Sequence, residues 1–69
     1  MVLSARNRLD GTVTSVTTDG VMAEVVVALG DGQTVTSTIT RGSVERLGLE
    51  EGDSVSDVIK ASEVMIDTE

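Results

Sequence analysis

Between Asn7 and Thr18 the apolar positions Leu9, Val13 and Val16 stand among threonines and serines, and the turn signal Thr18-Asp19-Gly20 follows. β-Branched residues interleaved with polar ones fit the pleated, half-buried surface of a strand. The next run, VMAEVVVALG from Val21, carries Val21, Ala23, Val25 and Val27 on one parity and Met22, Val26 and Ala28 on the other, interrupted only by Glu24. That pattern predicts a strand covered on both faces. Gly30-Asp31-Gly32 marks a hairpin, and QTVTSTIT from Gln33 to Thr40 reads as a third strand dense in β-branched side chains. These three elements predict an antiparallel meander.

The period then changes. Val44, Leu47 and Leu49 fall on one side of a helical turn, with Ser43 placed as N-cap and Gly48 near the C-terminal end. After EEGD, the run SVSDVIKA alternates at Val55 and becomes apolar at Val58-Ile59, and EVMID closes the chain as a further short strand. Three strands, a short helix and two strands make an all-β chain with one short helix. The order is that of a five-stranded Greek-key barrel of the OB type, and an SH3-like barrel is the alternative. Neither barrel says what it binds.

Length limits the core. A chain of 69 residues makes one domain and buries about 60% of the surface its unfolded form exposes. Small domains reinforce themselves with disulfides, a structural metal or self-association. The sequence has no cysteine, histidine, phenylalanine, tyrosine or tryptophan, so shared burial between copies is the reinforcement left. Twelve acidic residues oppose four arginines and one lysine, for a net charge of -7. That balance disfavours nucleic acid and anionic membranes, both of which are held by neutralising phosphates. Nor has an OB-type surface without aromatics anything on which to stack bases. With no long apolar run and no secretion-signal pattern at the start, the chain reads as cytoplasmic. A surface rich in Asp and Glu further suits a salt-rich, halophilic interior.

Catalytic groups are scarce. Without His or Cys the acids, bases and nucleophiles reduce to Asp, Glu, Ser, Thr and Lys60, and none forms a recognisable local motif. The chain therefore reads as a binding protein, not an enzyme. Glu50-Glu51 belongs to a solvated turn and lacks the spacing of an EF-hand. Two short stretches share the chemistry of a small-anion site: SARN at residues 4–7 and KAS at residues 60–62. Arg6 supplies a fork of N–H donors, Ser4 and Ser62 supply hydroxyls, and Lys60 supplies a point charge before a turn. The competing account pairs Arg6 and Lys60 with surface carboxylates. Met22 and Met65 read as core or interface packing.

SARNRLDGTVTSV, AEVVVAL, SVERLGLEEGD and DVIKASEVMI together span nearly the whole chain, and in that order and spacing they resemble the Mop domain family, the molybdate-binding molbindins. The resemblance implies a single TOBE-like Mop domain over residues 1–69 and a homohexamer arranged as a trimer of dimers. It also implies molybdate or tungstate bound as an oxyanion between subunits, with no organic cofactor and no bare metal cation. By matched motif, Ser4, Ala5, Arg6 and Asn7 face the anion from one subunit, and Lys60, Ala61 and Ser62 face it from a neighbour. Ser43 is a candidate for a second class of site. Two positions depart from the family pattern. Arg41-Gly42 alters the turn before the helix, and Asp57 stands where a small or apolar residue is usual, so that its carboxylate either repels an oxyanion or faces solvent. The function implied is intracellular storage and homeostasis of the oxyanion, and the alternative is an oxyanion-sensing regulatory module that acts through a partner protein.

Overall fold

The computed structural model describes residues 7–68. Four strands, β1 (Asn7–Asp19), β2 (Met22–Leu29), β3 (Thr34–Thr40) and β4 (Ser54–Ile59), form one sheet in the order β3-β2-β1-β4. Every neighbouring pair is antiparallel. The first three strands are the expected meander, turned through Gly20 (φ 62°) and Gly32 (φ 87°), a region of backbone space that favours glycine. A helix, α1 (Arg41–Leu47), packs against β2 and β3.

Strand β1 is long because it has two partners. Its residues from Gly11 to Asp19 pair with β2, and those from Asn7 to Thr12 pair with β4. A bulge between Val13 and Ser15 resolves the odd spacing of its apolar residues. Val13 and Val16 are three apart and could not share a face of a regular strand, but the extra residue, Thr14, resets the alternation. Thr14 is exposed, and its hydroxyl donates to the Val26 carbonyl at 3.2 Å. Val13, Ala23, Val25, Val27 and Val44 form the buried core, with Val16, Leu29, Ile39, Leu49 and Val55 packed around it. This core is small and purely aliphatic, as the composition requires.

Two local expectations are corrected. The N-cap of α1 is Thr40, not Ser43: the extended Thr40 accepts a hydrogen bond from the Ser43 N–H at 3.1 Å, so Ser43 lies inside the first turn. At the other end Gly48 takes the left-handed conformation (φ 64°) and closes the helix as expected. The closing segment is not a strand within the described residues. After β4 comes a one-turn 3₁₀ helix, Ala61–Glu63, and residues 64–68 then run without a ladder partner. The all-β, OB-like class stands, with four strands among the described residues. An isolated apolar triplet, Val64-Met65-Ile66, gains strand structure only when another edge pairs with it.

Candidate functional site

Pairing of β1 with β4 sets Asn7 opposite Ile59, the residue before Lys60. The last residue of SARN and the first of KAS are therefore neighbours at one end of the sheet, in one chain. Ser4, Ala5 and Arg6 lie outside the described residues. Lys60 is the extended residue that opens the 3₁₀ turn (φ -69°, ψ 131°), and Lys60, Ala61 and Ser62 are all exposed. The turn is closed by the Glu63 N–H donating to the Lys60 carbonyl at 2.9 Å. An amide, an ammonium and a hydroxyl thus stand on adjoining backbone at this sheet end, the donor set that a small anion requires.

Lys60 is not drawn onto a described carboxylate. Among the described residues the single ion pair joins Arg41 Nε to Glu45 Oε1 at 3.4 Å, on the exposed face of α1. The alternation of β4 also separates Lys60 from Asp57. Val55, Asp57 and Ile59 are half-buried, whereas Ser54, Ser56, Val58 and Lys60 are exposed. Asp57 neither faces solvent nor lies on the lysine's face: its Oδ2 is buried without a hydrogen-bond partner, and desolvation raises its pKa above the ordinary carboxylate value.

Ser43 is placed elsewhere. It follows Thr40, which pairs with Met22, which in turn pairs with Asp19 at the far end of β1 from Asn7. Its hydroxyl is also engaged, 2.8 Å from Thr40 Oγ1 and accepting from Arg46 Nη2 at 3.2 Å. The structure brings Asn7 together with Lys60, Ala61 and Ser62 and leaves Ser43 apart.

Sequence reasoning missed the groove into which Asp57 projects. It is an opening of about 630 Å³ between β3 and β4, the two outer strands of the curled sheet, with Val35, Ser37 and Ile39 on one wall and Val55, Asp57 and Ile59 on the other. Alternation in both strands carries the signal, but which two strands end at the edges of the sheet depends on pairings distant in sequence.

A TOBE domain model matches residues 3–66 of the sequence. Molybdenum-pterin-binding protein 3 of Clostridium pasteurianum is 47% identical over 66 residues, covering 96% of this chain and 97% of that protein. The chain is a member of the Mop family of TOBE domains. Among solved structures, the Mop-family fold recurs in a molybdate-binding protein from Sporomusa ovata, with a TM-score of 0.93 at 35% identity over 99% of this chain and all of that one. The cytoplasmic molybdate-binding protein ModG, solved with molybdate bound, superposes with a TM-score of 0.90 at 51% identity, covering 94% of this chain and 46% of that one. Among the described residues no helix is long and apolar enough to cross a membrane, and no cluster of three or more Asp, Glu, His or Cys could hold a metal cation.

Proposed function

We propose that this chain binds molybdate or tungstate as the intact tetrahedral dianion, in a self-associated form that stores and buffers the oxyanion inside the cell. The observation that carries the reading is the meeting of Asn7 with Lys60 and Ser62 at one sheet end, in a chain 51% identical to a protein solved with molybdate bound. A dianion with four oxygens asks for many N–H and O–H donors and a little positive charge. Lys60 supplies charge without a described carboxylate to cancel it, and Ser4, Arg6 and the backbone N–H groups of Ala5 and Ala61 extend the donor set by matched motif. No bond to the metal centre is needed, so the protein contributes hydrogen bonds and shielding. Ser43, with its hydroxyl already bonded, is left outside this primary site.

The repulsive field of a chain with net charge -7 means that affinity comes from short-range donors. A charged donor contributes roughly 1.5–3 kcal/mol, and 1.4 kcal/mol is about a factor of ten. Lys60→Ala is therefore expected to weaken molybdate binding about tenfold or more in isothermal titration, with an unchanged melting temperature in the absence of the anion. Wild-type affinity in that variant would overturn the assignment.

A further inference from the structure

We propose that Arg8 is a capture cation for the oxyanion, a second positive charge beside Lys60 that draws the dianion to this sheet end through the field and not through a hydrogen bond. The inference rests on the function proposed above and adds to it a residue that the matched motifs do not supply. The register of β1 and β4 sets Arg8 opposite Val58, and residues opposite one another in an antiparallel pair share a face of the sheet. The backbone stays extended at Lys60 (φ -69°, ψ 131°), so the alternation continues and Lys60 returns to the face of Val58. Arg8 and Lys60 are therefore diagonal neighbours across the two strands, about 7–8 Å apart and within reach of long side chains. Both are exposed, as is Val58, while Asp57 and Ile59 are half-buried on the opposite face.

Neither cation is neutralised by the residues around it. The next carboxylate along the face of Arg8 is Asp10, two residues on in β1, and it accepts the Ser56 hydroxyl across the ladder. The pair beyond it, Thr12 and Ser54, carries no charge. Among the described residues neither Arg8 nor Lys60 makes an ion pair, although the sequence holds twelve acids against five cations. Two of those five cations thus stand side by side at the end where Asn7 meets Lys60 and Ser62. Like charges so placed repel one another, and a dianion between them turns that repulsion into attraction.

A charge at the rim of a site acts differently from a donor inside it. Its pull passes through solvent and is screened by salt, and its loss alters the salt dependence of binding. At about 8 Å in water, a unit charge and a dianion attract one another enough to change affinity about fivefold. In a chain of net charge -7, that local attraction offsets the general repulsion at the point where the anion enters.

Isothermal titration of molybdate into the wild-type chain and the variants Arg8→Gln, Arg8→Lys and Lys60→Ala tests the assignment, each variant being compared with wild type at the same ionic strength. Arg8→Gln is expected to bind about three- to fivefold more weakly at about 0.01 M, where the screening length is about 30 Å, and to match wild type at about 1 M, where it is about 3 Å. Arg8→Lys keeps the charge and should bind as wild type at both, whereas Lys60→Ala should be weaker at both. Without the anion, Arg8→Gln should melt no lower than wild type; a lower melting temperature makes Arg8 a structural residue and overturns the proposal. A deficit that persists at high salt and is not restored by lysine makes Arg8 a hydrogen-bonding ligand and overturns it too. Wild-type affinity of Arg8→Gln at low ionic strength overturns it while the site of Asn7 and Lys60 stands; if the wild-type chain binds no molybdate, both fail.

Discussion

Asp57 is the residue at which sequence and structure part most informatively. Its position in β4 was legible, but the direction of its side chain depends on the phase of a strand whose partner lies far away in sequence. With Val55, Asp57 and Ile59 turned inward, the carboxyl enters an apolar groove and desolvation raises its pKa. The folded chain then holds this proton more tightly than the unfolded chain does. Stability is thus highest below the unfolded pKa and is lost as pH rises through the folded one. At concentrations where the chain is monomeric, Asp57→Asn is expected to melt higher than wild type at about pH 7, and the gap should close as pH falls toward about 4. A thermal melt in which the variant is no more stable at neutral pH would contradict this. Thr40 and Ser43 teach a similar lesson. Both are good capping types directly flanking Arg41-Gly42, and only the point at which β3 ends decides between them.

At the scale of elements, strands and turns were legible because each boundary carries its own chemistry: Gly20, Gly32 and Gly48 mark three of them. The fifth strand was not, since a strand exists only with a partner edge and none is supplied to residues 64–68 by the described part of the same chain. Strand β1 imposes the tightest local requirement. At Gly11 it pairs with Leu29 on one side and Val55 on the other. A Cβ built there would stand 2.5 Å from the Ala28 carbonyl oxygen and 2.7 Å from Val27 Cγ1, too close for either to remain in place. Gly11→Ala should accordingly cost about 1–3 kcal/mol, the range for overpacked cores, and in so small a domain each kcal/mol lowers the melting temperature by about 4–8 °C. A variant melting with wild type would show that β1 is free to shift away from β2.

For the whole molecule, the dominant feature is twelve acids against five cations on 69 residues. Ionic strength rising from about 0.1 to 1 M shortens the screening length from about 10 to 3 Å. Self-repulsion of the compact state is thereby relieved. Added sodium chloride should raise the melting temperature and favour assembly; a flat response over that range would remove the case for a salt-adapted surface. The family and the class of fold were readable at this scale because matched motifs span almost the whole sequence. The meeting of Asn7 with Lys60 was not, because it depends on the pairing of two strands at opposite ends of the chain.

That pairing also orders events in time. The β1–β2–β3 meander closes through two short turns, whereas β4 must find β1 from a distance, as Asp10 and Ser56, bonded to each other 46 residues apart, illustrate. Non-local contacts of this kind come at a greater entropic cost and form late. The proposed anion-binding end is therefore expected to be absent from the folding transition state. Stopped-flow kinetics should show molybdate slowing unfolding while leaving the folding rate unchanged; an anion that accelerates folding would place the β1–β4 pairing in the nucleus. The cargo would then act as a latch on a chain that has already folded, lengthening its lifetime in proportion to the oxyanion it holds.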